Sequence, residues 1–268
     1  MYFEWLYTQF IDNDTFVNII LHRTSMFGDS NVPYISFCIY NNSDGILHKR
    51  YVLSENVFNQ LYNAFLCIDS KEINFEFEDI SFNGIFYNLN RKNICEILYS
   101  EQNKQSLWEV LIPDGEFRGS ICIQGFKYKL NAKVYQDKQY GNLLIQDFLK
   151  EWNWCVISEP QKTKCCFTLK CCNGIERTIK WVCDKYELKI EHVDSNEEHF
   201  FSVMQNENTK YMPKLWQDKE MIFIQKETPL RNRYEKIDKL FFNYKRFVCK
   251  NRNGVLCGVC ENMKITKG

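Results

Sequence analysis

Apolar and polar positions alternate in twos along most of this chain. Ile73, Phe75 and Phe77 share one parity while Asn74, Glu76 and Glu78 take the other, and Ile85, Tyr87 and Leu89 continue the pattern beyond Asn83-Gly84. Successive side chains of a strand point to opposite faces, so a period of two predicts strands with one buried face. An Asn-Gly step between two such runs predicts a hairpin turn, and the same signal recurs at Asn173-Gly174 and Asn253-Gly254. Further alternating runs occupy 16–23, 120–124, 126–134, 186–192 and 221–225. Many short strands with turn signals between them predict an all-β fold, a sandwich or barrel. Ser54-Glu55 followed by Val57, Leu61 and Phe65 predicts a short capped helix. Residues 143–152 fit a helix or a strand, and the polar patches 194–198 and 205–210 read as loop. Proline and polar residues at Ser158-Glu159-Pro160 separate two strand-rich halves, which places an N-terminal lobe at 1–156 and a C-terminal lobe at 157–268.

The densest chemistry lies in 132–154, AKVYQDKQYGNLLIQDFLKEWNW. Leu130, Ala132 and Val134 alternate with Lys129, Asn131 and Lys133, a strand with one buried face. Tyr135 and Asp137 share the opposite parity, so a phenol and a carboxylate project to one side of the same strand. Gly141 stops that strand. Trp152 and Trp154, two apart, send two indoles to one face if their segment is extended.

Composition narrows the classes. At 268 residues, 45% apolar and 16% aromatic, the chain can fill a sizeable core. Lys plus Arg and Asp plus Glu balance at 34 each, so overall charge recruits neither nucleic acid nor an anionic membrane. The opening MYFEWLYTQFIDND carries charge within its apolar run and lacks a basic leader, and no later run reaches the ~20 apolar residues of a membrane helix. The expectation is a soluble, unexported, cytoplasmic protein. Thirteen cysteines, Cys38 to Cys260, lack the regular spacing of a small disulfide scaffold, and most read as buried thiols acting as small hydrophobes. Cys257 and Cys260 make a lone CxxC, and the four histidines lie far from the cysteine pairs, so no structural metal and no cofactor is expected.

With those residues in view, the chain resembles the two-lobed, lipocalin-like family of carotenoid 1,2-hydratases (hydroxyneurosporene synthases), tocopherol cyclases and fungal and bacterial pericyclases, the Diels-Alderase-like members. That family carries a Gly-x-Tyr-x-Asp-x-Asn-x-Gly or Tyr-His-Asp-His-Asn-Trp-Gly segment followed by Trp-x-Trp. The counterpart here is Tyr135-Gln136-Asp137-Lys138-Gln139-Tyr140-Gly141, then Trp152-Asn153-Trp154. Trp108 to Gly115 resembles the family's Trp-x-Val-x-x-Pro strand, Glu4-Trp5-Leu6-Tyr7 its Glu-Trp-Trp-Tyr opening, and His22-Arg23-Thr24 the end of the next strand. Pro229 to Tyr234 resembles Pro-Phe-Tyr-x-Arg-Tyr, and Gly258 to Glu261 the closing Gly-x-x-Glu. Lys138, Gln139 and Tyr140 stand where many members have His, Asn and Trp.

The resemblance implies two tandem lipocalin-like lobes and an enzyme for a hydrophobic polyene, terpenoid or polyketide-like substrate. It maps proton delivery to an isolated C=C bond onto Asp137 and Tyr135. An alkene is a poor base, so the acid must hold its proton near neutral pH, which burial among aromatic walls favours. Trp108, Tyr140, Trp152 and Trp154 then line the pocket and shield a cation through their ring faces, with His22 and His192 as further ligand contacts. Water capture gives a hydratase, internal capture a cyclase, proton loss an isomerase. A pericyclase needs only a shaped apolar cavity with one or two donors on a carbonyl. Transient contact with a membrane or another biosynthetic enzyme suits such a substrate. Each residue also has a structural reading: Asp137 as a backbone cap beside a turn glycine, the aromatics as core, His192 and His22 as satisfied strand histidines, Lys138 as solvated or paired with Asp137. A non-catalytic lipid or isoprenoid carrier is the alternative function. In a carrier Asp137 turns away from apolar walls.

Overall fold

A computed structural model describes residues 2–24, 32–41, 43, 45–66, 72–184, 187–193, 240–250 and 255–267. The chain divides into two compact units, Met1–Leu144 and Ile145–Gly268. Both are built on antiparallel sheets, and the predicted all-β class holds.

The first unit begins with β1 (Phe3–Ile11), β2 (Thr15–Thr24), β3 (Tyr34–Asn41) and β4 (Gly45–Val52), then α1 (Glu55–Leu66). It continues with β5 (Glu72–Phe77), β6 (Ile80–Asn90), β7 (Ile94–Glu101), β8 (Lys104–Ile123) and β9 (Phe126–Gly141). The strands pair in the order β4-β3-β2-β1-β9-β8-β6-β5, and β7 pairs with the first half of β8. Two meanders are thus stitched together where β1 meets β9. The edge strands meet through side chains: Tyr51 of β4 donates to Asp79 Oδ1 at 2.8 Å and packs edge-on against Phe77 of β5. One face of this curled sheet, carrying Leu6, Phe10, Phe82, Phe117 and Val134, holds the core against Phe58, Leu61 and Phe65 of α1.

The expected cap is present, with Ser54 Oγ accepting from the Val57 amide at 3.3 Å. At the other end of the helix, Gln136 of β9 donates to the Phe65 carbonyl and to Thr8 Oγ1, both at 3.0 Å. Arg23 joins the helix to β1 and β2 by reaching Glu4 at 3.3 Å and Asn59 at 3.1 Å, and Tyr62 donates to Glu4 at 2.5 Å. Burial and that bond hold the Tyr62 phenol well above its usual range.

Asn83-Gly84 is not a turn. It lies inside β6, and the chain turns earlier, at Glu78, whose φ is +51°. Gly84 faces Gly119 across the β6–β8 pair, and a Cβ there would run into the Phe117 ring and stand 2.6 Å from the Arg118 carbonyl oxygen. The glycine serves close approach of an aromatic ring, a use a turn signal imitates. Gly84→Ala is therefore expected to destabilise the first unit by about 1–3 kcal/mol, as overpacking does. Urea unfolding measures it, and an unchanged midpoint would contradict this packing.

The second unit contains a one-turn α2 (Ile145–Phe148), then β10 (Leu149–Ser158), β11 (Lys162–Cys171), β12 (Glu176–Asp184), β13 (Leu188–Val193), β14 (Leu240–Lys250) and β15 (Leu256–Lys267). They form a sheet in the order β13-β12-β11-β10-β15-β14. The ambiguous stretch 143–152 contains both predicted types, a helical turn and then strand. Asn173-Gly174 makes the expected turn between β11 and β12, with Gly174 at φ +86°. The Asn253-Gly254 step, the run 221–225 and the patches 194–198 and 205–210 lie outside the described residues.

Cysteine is the main departure from expectation. Most described free cysteines are buried, but Cys155 of β10 and Cys260 of β15 are joined by a disulfide. They face each other directly across the β10–β15 ladder, 105 residues apart in sequence, where no local spacing could announce them. No helix among the described residues is long and apolar enough to cross a membrane.

Candidate active site on the first sheet

Directly opposed residues of antiparallel strands share a face, so the register of β8, β9, β1, β2 and β3 lays out the side of the first sheet opposite α1 as rows. One row runs Trp108, Gln139, Trp5, His22, Tyr34. The next runs Val110, Asp137, Tyr7, Ile20, Ser36, and the third Tyr135, Gln9, Asn18, Cys38. In β9 this face changes character along the strand. Lys129 and Asn131 are exposed, whereas Tyr135, Asp137 and Gln139 are buried.

Asp137 is the centre of the buried part, at 5% exposure. Its Oδ2 accepts the Tyr135 hydroxyl at 2.6 Å and the Trp108 indole N–H at 2.9 Å. Tyr135 is wholly buried and meets the Tyr7 ring edge-on at 6.2 Å. The Tyr7 hydroxyl donates to Gln9 Oε1 at 2.9 Å. Gln9 is itself 0% exposed, and its Nε2 has no acceptor among the described residues. A buried amide left without an acceptor costs about 1–3 kcal/mol, so this donor is available to an oxygen brought in from outside. Along the first row His22 stacks on Tyr34 at 4.1 Å and meets Trp5 edge-on, while the Arg50 guanidinium lies 3.6 Å over the Tyr34 ring.

Tyr135, Asp137, Trp108 and His22 thus share one face, the first three through direct hydrogen bonds. Lys138 and Tyr140 do not join them. Their parity puts them on the other side of β9, where Lys138 pairs with Glu109 at 2.9 Å and lies over the Tyr140 ring at 4.7 Å. Burial, with Cys95 and Glu109 nearby, pushes the Tyr140 phenol up to about 12. Pairing of Lys138 with Glu109 removes the case for a Lys138–Asp137 ion pair. Trp152 and Trp154 belong to the second unit, buried on one face of β10 as their spacing required, with Trp152 edge-on to Phe167 of β11. Beside Trp154, Glu261 takes Arg246 in a pair at 2.5 Å. His192 lies in β13 opposite Ile179, its side chain outside the described residues, as is 229–234 entirely.

Sequence reasoning missed Gln9. The signal was available: in Trp5-Leu6-Tyr7-Thr8-Gln9-Phe10 both parities are bulky and largely apolar, so a glutamine sharing parity with Trp5 and Tyr7 has no solvent face to occupy.

No protein-family model matches the chain, and no curated protein is significantly similar in sequence. Solved structures superpose on it. A candidate AttH protein from Nitrosomonas europaea superposes with a TM-score of 0.52 at 10% identity, over 98% of this chain and 92% of that one. CghA in complex with Sch210972 gives a TM-score of 0.46 at 6% identity, over 99% of this chain and 89% of that one. The first of these, at 10% identity, speaks to fold alone. The chain is an all-β protein of two tandem lipocalin-like lobes.

Proposed function

We propose that this protein is an enzyme acting on a hydrophobic polyene, terpenoid or polyketide-like substrate, by hydration, cyclisation or isomerisation of C=C bonds, with Asp137 and Tyr135 as its proton-transfer pair. The observation carrying this reading is the buried Trp108–Asp137–Tyr135 cluster on an aromatic-lined sheet face. Both donors converge on Oδ2, so a proton carried by the carboxyl belongs on Oδ1. When that proton moves to a substrate carbon, the two hydrogen bonds to Oδ2 become charge-assisted and strengthen. They stabilise the group where negative charge develops, as an acid catalyst requires. The carboxylate left behind and the faces of Tyr7, Tyr135 and Trp108 favour a neighbouring cation. Gln9 Nε2 would orient an oxygen-bearing part of the substrate.

The test begins with mass spectrometry of an organic extract of the purified protein, followed by incubation of the extracted compounds with fresh protein. Hydrated, cyclised or isomerised products, lost on heating the protein, support the enzyme. Stoichiometric return of an unchanged lipid or isoprenoid supports the carrier.

A further inference from the structure

A second cluster lies in the other unit and has no part in the proposed reaction. Cys155, Cys249 and Cys260 are all buried, and their sulfurs lie within 4.8 Å of one another. Cys155 and Cys260 are bonded, and the Cys249 thiol on β14 stands 3.5 Å from Cys260 Sγ. Register explains the grouping. Cys260 opposes Cys155 on one side of β15, while on the other side Cys249 opposes Gly258, two residues from Cys260, which puts the Cys249 and Cys260 sulfurs diagonally on one face. The CxxC pair itself does not converge, because three residues apart in a strand Cys257 and Cys260 take opposite faces. Cys257 instead turns its thiol to the Cys249 carbonyl at 3.5 Å.

We propose that these three cysteines form a thiol–disulfide exchange site in which Cys260 is bridged alternately to Cys155 and to Cys249. In the exchange Cys249 loses its proton and its sulfur attacks Cys260 Sγ. The Cys249–Cys260 bond forms, the Cys155–Cys260 bond breaks, and Cys155 leaves as a thiolate that takes up the proton. The step is redox-neutral and needs no external oxidant. It changes what the bridge ties together: Cys155–Cys260 joins β15 to β10 across 105 residues, whereas Cys249–Cys260 joins the neighbouring strands of one hairpin. A metal is the competing use of three thiols. The structure favours exchange because two sulfurs are already bonded, and an ion held by three thiolates would put net negative charge on buried positions with no cationic ligand in the group.

Trypsin separates the participants. Cleavage after Lys150, Lys162, Arg246, Lys250, Arg252 and Lys264 places Cys155 in peptide 151–162, Cys249 in 247–250 and Cys260 in 253–264. With Cys257→Ala as the background, so that 253–264 holds one cysteine, the full chain is equilibrated across a glutathione redox series, quenched in acid, alkylated and mapped by mass spectrometry. The expected result is peptide 253–264 joined to 151–162 in some molecules and to 247–250 in others. Added Cys155→Ala should send it wholly to 247–250, and added Cys249→Ala wholly to 151–162. Absence of the 247–250 linkage at every redox poise in the background protein overturns the proposal, whether or not the Cys155→Ala chain folds. So does one tightly bound zinc or copper(I) per reduced chain that disappears with either added alanine and prevents both linkages.

Discussion

Asp137→Asn is expected to leave the fold intact and to lower turnover of the extracted substrate by ~100-fold or more, the typical scale of general acid catalysis. Asparagine is nearly isosteric, and its single carbonyl oxygen can replace Oδ2 as acceptor for both Tyr135 and Trp108. The Tyr135 and Trp108 donors stay satisfied, so stability should move little. What disappears is the exchangeable acid proton. Turnover, ligand affinity and the urea midpoint, measured side by side, separate the roles. If turnover stays within a few-fold, the carboxylate serves shape or packing, and truncating Tyr7, Tyr135 or Trp108 should then hurt more. If affinity falls with turnover, Asp137 binds rather than reacts.

The second large effect concerns the staple in the C-terminal unit. Removing Cys155 and Cys249 together, as the double alanine variant, leaves Cys260 without either neighbouring thiol. In the chain-entropy description, a bridge closing a loop of about 100 residues stabilises by about 4–5 kcal/mol, most of it by restricting the unfolded chain. Denaturant unfolding under oxidising conditions should show a loss of that order. Wild-type protein under strong reductant should approach the same midpoint. A double variant within about 1 kcal/mol of oxidised wild type would mean that the bridge contributes little to holding β10 against β15.

How far the sequence could be read depended on whether the relevant interaction was local. Alternation in β9 announced both the buried row Leu130, Ala132, Val134 and the shared side of Tyr135 and Asp137, because parity is a property of the strand alone. Ser54 declared the start of α1 for the same reason, since a cap and its amide lie three residues apart. Asn83-Gly84 misled because a glycine that admits a ring from the next strand spells the same two letters as a turn. Tyr140 was grouped with Asp137 by proximity in sequence, although odd spacing in a strand puts the two on opposite faces. The pairing of Cys155 with Cys260 depends on β15 returning beside β10, which nothing near either residue encodes.

The curl of the first sheet bears on how copies of this chain treat one another. Among the described residues the two ends of its strand order carry opposite electrical signs, Lys49 and Arg50 on β4 against Glu72 and Glu76 on β5. Within one molecule the two ends are joined by Tyr51 and Asp79. Between molecules, β4 meeting β4 or β5 meeting β5 would bring like charges into register, a penalty on the open-edge polymerisation to which unclosed sheets are prone. The curl is thereby guarded by repulsion from outside as well as by packing from within.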